Sequence, residues 1–464
     1  MKLWARAKTL FARAPDSSTS LADSAFRAAV ANHQQGRLAE AEQLYERVLE
    51  LQNDHVAALN FLGVLAYQLD DPARSVELIE KAIALDPSQP GLHSNLALSL
   101  NAVGRARDAV ESCDRALALD PDCVEGHSNK GNSLWGLGQR EQALASYARA
   151  LATDPGHAQT HWNEGFLRLQ MGQFDLGWRK HEWRWQLAHV VAHRRDFAEP
   201  LWLGKEDIRG KTILLHAEQG LGDTLQFCRY AKMVCALGAT VVLEVQAPLK
   251  ALLATLEGVS RVVARGEALP EFDVHCPLWS LPLAFGTTFE SIPGGAAYVR
   301  PDPAAIARWR DRLGPKSVAR VGIVWMGSNG DRRSVPLDDA LTLVTEARQF
   351  VCLQKHLSGE DRRRLEESRA ITIVADDLID FSDTAAAVEL MDLVITIDTS
   401  VAHLAAAMGK PVWILLAFNP DWRWFLDRGD SPWYPGARLF RQPAPGDWAS
   451  VVARVREELA KLSP

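Results

Sequence analysis

The sequence predicts an α-helical solenoid followed by two α/β domains with parallel sheets. A 34-residue repeat in the first half and an alternation of strands and helices after Gly210 support this fold class. The chain has 464 residues, 47% hydrophobic and 23% charged, which is typical of a folded globular protein of about three domains. The predicted organisation is a basic N-terminal segment, a solenoid, a linker and two α/β domains, at 1–19, 20–187, 188–210, 211–314 and 315–464.

The solenoid is predicted from punctuation that returns every 34 residues. The same step relates two sets of residues, Gly36, Asp70, Gly104, Gly138 and Gly172, and Pro87, Pro121 and Pro155. Glycine ends one helix and proline opens the approach to the next, so each unit is a helix-turn-helix pair. This pattern resembles the tetratricopeptide repeat. We expect four repeats from about Ser20 to Asp154 and a degenerate fifth from about Pro155 to Leu187.

Three asparagines, Asn95, Asn129 and Asn163, also keep the 34-residue step. An amide side chain donates and accepts hydrogen bonds at once, which suits the backbone of an extended peptide. A similar asparagine ladder lines the peptide groove of the O-linked GlcNAc transferases that carry tetratricopeptide repeats. The alternative is that each asparagine bonds a neighbouring helix. The sequence therefore offers a peptide-binding groove without excluding a structural role.

The second half alternates apolar strands with amphipathic helices. Residues 211–245 predict a strand, a glycine-rich loop, a helix and a second strand, and further strands are expected at 261–264 and 272–275. A second series of strands begins near Ala319. Two separate parallel sheets are therefore predicted, and ligands of such sheets bind outside the carboxyl ends of the strands.

Three motifs lie in these loops. DTSVAHLAAAMGKP spans 398–411, EQGLGDTLQF spans 218–227, and LQK ends at Lys355. Together they resemble the glycosyltransferase family 9 (heptosyltransferase) enzymes over about Lys211 to the C-terminus. The resemblance implies the GT-B architecture of two facing Rossmann-like domains, with the acceptor on the first and the nucleotide-sugar donor mostly on the second. It also implies transfer with inversion at the anomeric carbon.

The donor site is expected on the second domain. Thr399 and Ser400 open a helix, where free N–H groups suit diphosphate oxygens. The resemblance implies that Lys355 contacts phosphate, and His403, one turn beyond Thr399, could donate to the diphosphate or be a satisfied core histidine. Further candidates for donor binding are Arg332, Arg333 and Asp377.

Acid–base chemistry is assigned to Asp223 as general base, with Glu218 as the second candidate. Asp223 follows Gly222 in the first-domain loop, and the alternative is that it only caps the next helix. Asp398 is expected to hydrogen-bond the sugar. No D-x-D motif lies near a strand end, so we expect transfer without a metal or other cofactor, the nucleotide sugar being a co-substrate.

Net charge and composition limit the classes of binding partner and the cellular compartments that are expected. The formal net charge of −7 argues against nucleic acid as a partner. The 6 cysteines show no C-x-x-C or zinc-finger spacing and are expected to be buried thiols. No apolar stretch reaches the roughly 18 residues of a membrane helix, and the N-terminus has no long apolar region, so a cytoplasmic protein without stable membrane insertion is expected.

Three functions remain open at this point. The first is a transferase that glycosylates Ser or Thr of a protein held by the repeats, a layout similar to that of bacterial flagellin glycosyltransferases. The second keeps the chemistry but has a lipopolysaccharide or polysaccharide acceptor. The third is a scaffold whose transferase half is inactive. Sugar, nucleotide and acceptor are not specified by these motifs.

Overall fold

The computed structural model describes residues 21–191, 194–295, 297–327 and 333–462. The chain divides into two compact units, Met1–Leu167 with Lys180–Arg194, and Arg168–Arg179 with Arg195–Pro464. The predicted segment 1–19 lies outside the described residues. Within the described ranges, no helix is both long and apolar enough to cross a bilayer.

The helices of the predicted solenoid follow one another in antiparallel pairs. They are α1 (Leu21–Gln34), α2 (Leu38–Leu51), α3 (Val56–Gln68), α4 (Pro72–Leu85), α5 (Pro90–Ala102), α6 (Ala106–Leu119), α7 (Val124–Gly136), α8 (Arg140–Thr153), α9 (Ala158–Gln170) and α10 (Phe174–His181). Residues 168–179, from the end of α9 and most of α10, belong to the second unit. A short helix, α11 (Ala188–Val191), follows.

The 34-residue period has a backbone cause. Gly36, Gly104, Gly138 and Gly172 have φ between 74° and 83°. This left-handed region is open to glycine and costly for most other residues, so each tight turn between paired helices requires it. Asp70 has a φ of 65° and adopts the same conformation in the second repeat without being glycine.

Small residues let the paired helices approach closely. Ala41, Ala109 and Ala143 are fully buried, each near the start of the second helix of its pair. At Gly131 of α7, an ideal Cβ would lie 2.4 Å from Cε1 of Tyr147 on α8. The repeats therefore place small residues where helix backbones or aromatic rings leave no space for a side chain.

The first sheet of the second unit contains four parallel strands. They are β1 (Thr212–His216), β2 (Thr240–Val245), β3 (Arg261–Ala264) and β4 (Val274–Pro277). Their order is β3-β2-β1-β4. The helices around them are α12 (Leu221–Phe227), α13 (Ala231–Ala236), α14 (Lys250–Leu253) and α15 (Leu281–Ala284). Part of the predicted linker packs here, because Leu201 pairs with His275 of β4.

The second sheet contains seven strands. They are β5 (Arg320–Val324), β6 (Gln349–Cys352), β7 (Ile371–Ile373), β8 (Leu393–Ile397), β9 (Val412–Leu416), β10 (Asp430–Ser431) and β11 (Tyr434–Arg441). Their order is β10-β11-β9-β8-β5-β6-β7, and every pairing is parallel except that of β10 with β11. The helices are α16 (Pro303–Leu313), α17 (Leu337–Leu341), α18 (Gly359–Ser368), α19 (Phe381–Glu389), α20 (Ser400–Ala407) and α21 (Trp448–Lys461).

These sheets confirm the predicted fold class of a helical repeat followed by parallel α/β domains. The order of β1 to β4 and that of β5 to β8 are alike. In each sheet the second and third strands lie on one side of the first strand, and the fourth lies on its other side. Ligands of open parallel sheets bind at this switch point. Within the second unit, α12 after β1 packs against α20 after β8, which brings the two switch-point loops together.

All six cysteines lie in the described part of the chain and are free thiols. Five are buried, as expected, and Cys235 is exposed. Its exposure follows from its place near the end of the short helix α13.

Candidate functional site

The predicted motifs 218–227 and 398–411 meet where α12 packs against α20. The two motifs approach closely at Gly222, where an ideal Cβ would lie 2.7 Å from Cδ2 of His403. Any larger residue at position 222 would collide with the histidine ring. The absence of a side chain at Gly222 therefore allows α12 and α20 to pack closely at this site.

Asp223 lies on the first turn of α12 and uses both carboxylate oxygens. Oδ2 accepts a hydrogen bond from the backbone N–H of Gly220 at 2.8 Å, and Oδ1 forms an ion pair with Arg423. Burial raises the pKa of Asp223, and the neighbouring Arg423 charge opposes that rise. The capping role that the sequence left open is therefore present, but it occupies only one of the two oxygens.

Arg423 is the residue of this site that the sequence analysis did not select. It lies in the loop between β9 and β10, its side chain is 6% exposed, and Nη1 donates to Asp421 at 2.9 Å. Its guanidinium carbon lies 4.6 Å from the ring centre of Trp279 and 4.8 Å from that of Trp422. The available signal was the run DWRW, in which a cation and an acid alternate with tryptophans.

Asp398 follows β8 and is also buried. Burial, reinforced by the negative charge of Asp421, raises the pKa of Asp398 to about 7, while Arg333 and Arg423 act in the opposite direction. Near neutral pH this carboxyl can therefore hold a proton and donate a hydrogen bond. That property suits the predicted contact with a sugar hydroxyl.

His403 points its ring at α12 and at the strand β11. Nδ1 and the Tyr434 hydroxyl are 2.8 Å apart, and Nε2 lies 3.9 Å from Oδ1 of Asp398. Burial, with a further contribution from the Arg423 charge, lowers the pKa of His403 well below its ordinary value. The ring is therefore neutral at physiological pH, and its contact with Gly222 gives it a packing role at this position.

The start of α20 is arranged as the sequence predicts. Thr399 is the N-cap residue and Ser400 the first helical residue, and the Thr399 side chain makes no capping hydrogen bond. The Thr399 hydroxyl lies instead 3.2 Å from that of Thr396. Arg333 donates to the Asp398 carbonyl oxygen at 3.3 Å, which places one predicted cation at this helix start. Arg332 lies outside the described residues.

The remaining predicted site residues have other partners. Lys355 is exposed after β6, and its Nζ donates to the Ala375 carbonyl at 3.5 Å. Asp377 forms an ion pair with Arg312 at 2.8 Å. Glu218 accepts a hydrogen bond from the backbone N–H of Trp279 at 3.2 Å, tying the loop after β1 to the segment after β4. These bonds do not join the three residues to the Asp223 group.

The three ladder asparagines bond the preceding repeat. The Asn95 amide nitrogen donates to Asn60 Oδ1 at 2.9 Å, that of Asn129 to the Ser94 carbonyl at 3.0 Å, and that of Asn163 to Asn132 Oδ1 at 2.8 Å. The neighbouring-helix role is therefore present in all three. The Asn129 amide nitrogen also donates to the Ser94 hydroxyl at 3.2 Å. The peptide-binding role stays a prediction.

A metal site is not evident in the described ranges, which contain no group of three or more His, Cys, Asp or Glu side chains placed to hold an ion. Among the described residues, Arg333 and Arg423 place positive charge close to the predicted donor site. Metal independence stays a prediction.

Two family matches cover these regions. Residues 3–55, 34–90, 94–158 and 128–175 match the tetratricopeptide repeat, and residues 340–417 match glycosyltransferase family 9 (heptosyltransferase). The chain combines tetratricopeptide repeats with a glycosyltransferase family 9 domain. The second match includes Lys355, Asp377, Asp398 and His403, whereas Asp223 and Arg423 lie outside it.

Known proteins resemble parts of the chain. This chain is 28% identical over 321 residues to Protein FlbA of Caulobacter vibrioides, and the match covers 63% of this chain and 53% of FlbA. The chain thus spans about half the length of that relative.

Two solved structures resemble the chain over a smaller share. A thermophilic tetratricopeptide-repeat protein of Thermus thermophilus is 22% identical, with a TM-score of 0.34, over 36% of this chain and 92% of that one. A MamA structure from Desulfovibrio magneticus is 16% identical, with a TM-score of 0.30, over 39% and 100%.

Proposed function

We propose that the protein is an inverting, metal-independent glycosyltransferase that uses a nucleotide sugar and modifies Ser or Thr of a protein bound by its repeats. The observation that carries the proposal is the meeting of Asp223 with Arg423, Asp398 and His403 beyond the carboxyl ends of two parallel sheets. The family 9 match over residues 340–417 supports the same chemistry.

In the proposed reaction the acceptor hydroxyl attacks the anomeric carbon from the face opposite the leaving group. The new C–O bond forms as the bond to the nucleotide breaks, and the electron pair leaves on the phosphate oxygen of that nucleotide, a nucleoside diphosphate or, for a CMP-sugar, CMP. Asp223 takes the hydroxyl proton, so one displacement with one base inverts the carbon. Protonated Asp398 would donate to a sugar oxygen, and the first N–H groups of α20 with Lys355 would stabilise the diphosphate.

The repeats favour a protein acceptor. Stacked helical repeats form extended concave surfaces that bind peptides, and here they share one chain with the transferase domain. A flagellin-type acceptor and a cytoplasmic location belong to this proposal. A lipopolysaccharide or polysaccharide acceptor and an inactive scaffold are the competing outcomes of the tests below.

Donor binding is tested by calorimetry on the full chain with UDP-GlcNAc, GDP-mannose, ADP-glucose and CMP-N-acetylneuraminate, each with Mg²⁺ and with EDTA. We expect one donor to bind equally well in both, and Lys355→Ala to weaken it about tenfold or more, because a charged hydrogen bond is lost. Lys316→Ala is the matched control, since Lys316 precedes β5 at the amino ends of the strands, away from their carboxyl ends, and pairs with Asp392. Binding that requires Mg²⁺ would contradict metal independence.

The acceptor is tested in cells that express either the full chain or Asp223→Asn. We expect Ser- or Thr-linked glycopeptides with the full chain and their loss in the variant, by mass spectrometry. A changed lipopolysaccharide band with unchanged proteins would favour the second function. No change in either, despite donor binding, would favour the scaffold.

A further inference from the structure

We infer that Arg423 is a positioning residue for Asp223, holding the base across the contact between the two α/β domains. The inference rests on the proposed function, because it assigns Arg423 an effect on turnover that passes through Asp223. It differs from a donor-binding role, in which Arg423 would contact the diphosphate directly.

The first argument is the division of the guanidinium among three acceptors. Nη2 pairs with Oδ1 of Asp223, Nη1 with Oδ1 of Asp421 at 2.9 Å, and Nε with Oε1 of Gln226. Two of these partners, Asp223 and Gln226, lie on α12 of the first α/β domain, one turn apart. Because the planar guanidinium bonds both residues, it fixes the position of this face of α12 and the orientation of the Asp223 carboxylate.

The second argument is that Arg423 has little freedom to leave this place. The guanidinium packs against the rings of Trp279 and Trp422 at 4.6 and 4.8 Å, and its side chain is 6% exposed. A flexible donor-capturing arginine would need solvent access and room to swing. A guanidinium that stacks on two rings and donates from each of its three nitrogens is held in one orientation.

The third argument is the bracing of the loop that carries Arg423. Gln170 donates to Asn419 Oδ1 at 3.0 Å and to the Pro420 carbonyl at 2.7 Å, just before Asp421. Trp178 packs edge-on against Trp422, with ring centres 5.1 Å apart. Both bracing residues belong to the second unit through segment 168–179, which therefore contacts the loop at Asn419, Pro420 and Trp422.

The consequence concerns the geometry of proton transfer. With Oδ1 on Arg423 and Oδ2 on the Gly220 N–H, the carboxylate cannot rotate, yet each oxygen keeps a lone pair for an incoming hydroxyl. Without Arg423 the carboxylate would be held by one bond only. A misplaced base loses rate while donor affinity is preserved.

The experiment is a double-mutant cycle on turnover in the full-length protein. Wild type, Arg423→Gln, Asp223→Asn and the double variant are compared for release of the nucleotide from the donor that calorimetry selects, with water as acceptor. Arg428→Gln is the matched control, because Arg428 lies on the same loop and pairs with exposed Asp430 at 2.8 Å. Donor affinity is measured for each by calorimetry.

We expect Arg423→Gln to lower kcat by about 10- to 100-fold with donor Kd changed less than about twofold, and the double variant to match Asp223→Asn. Arg423→Lys keeps the positive charge but can form fewer of the hydrogen bonds, so it should have an intermediate kcat. It replaces Arg423→Gln in the cycle if the glutamine variant does not fold. Multiplied losses in the double variant, or donor Kd weakened as much as kcat/KM, would overturn the inference. A wild type that binds donor but forms no glycopeptide in the cell experiment above, or an Asp223→Asn variant with unchanged kcat, would overturn the proposed function itself.

Discussion

Replacing Gly222 by alanine tests the contact on which the site depends. The added Cβ would lie 2.7 Å from His403 Cδ2 and 3.4 Å from Nε2, about 0.7 Å short of an ordinary carbon contact at the first atom. The ring cannot easily move away, because Tyr434 holds Nδ1 at 2.8 Å and Trp424 stacks with its ring centre at 5.4 Å. We expect Gly222→Ala to lower the free energy of unfolding by about 1–3 kcal/mol, the usual cost of overpacking.

Gly222→Ala should also reduce the turnover rate by more than its loss of unfolding free energy alone would predict. Asp223 is the next residue, and a shift of about 1 Å in a reacting group can cost about 100-fold in rate. Urea unfolding followed by tryptophan fluorescence and nucleotide release from the donor measure the two effects. Gly359→Ala is the control, because an ideal Cβ there meets nothing within 4 Å. Gly222→Ala with wild-type stability and kcat would refute the assigned contact between the two loops.

Three further changes follow from single contacts. Asp398→Asn should gain about 2 kcal/mol of stability relative to wild type between pH 5 and pH 8 in urea titrations. The pKa of the wild-type carboxyl is about 7 in the folded state and lower in the unfolded state, so wild-type stability falls as the pH rises from the unfolded pKa towards 7. A stability difference between the two proteins that does not change with pH would contradict this. Tyr434→Phe leaves His403 Nδ1 without its 2.8 Å partner and should lower the unfolding free energy by about 1–3 kcal/mol, measured in the same way; an unchanged value would exclude the bond. Gly131→Ala should lower the thermal transition of the helical unit, since its Cβ would lie 2.4 Å from Tyr147, and an unshifted circular dichroism melt would disprove this packing.

The sequence was most informative where local rules repeat. The step from Gly36 to Gly172 predicted the helix pairs because each turn needs a positive φ. Apolar runs of strand length predicted β1, β5, β8 and β9, whose side chains are almost all buried on both faces of parallel sheets. The strand β11 was missed, since its burial pattern alternates irregularly and no α-helix separates it from β9.

The site was predicted in part for the same reason. Asp398 directly follows β8, and Asp223 lies on the first turn of the helix that follows β1; sequence patterns locate both kinds of position well. Arg423 was missed because 200 residues separate it from Asp223, and its value depends on a partner that no local pattern identifies. The ladder asparagines show the converse, since their spacing is periodic but the neighbour they bond depends on how the repeats stack.

By itself the sequence determined the elements of this protein, namely the repeats, the two parallel sheets and the loops that carry polar residues. Backbone conformation and apolar periodicity are local properties, and a chain encodes them residue by residue. Only the tertiary structure decided which side chains meet. The ion pair of Arg423 with Asp223, the closeness of His403 to Gly222 and the raised pKa of Asp398 all arise from burial and contact between segments distant in sequence.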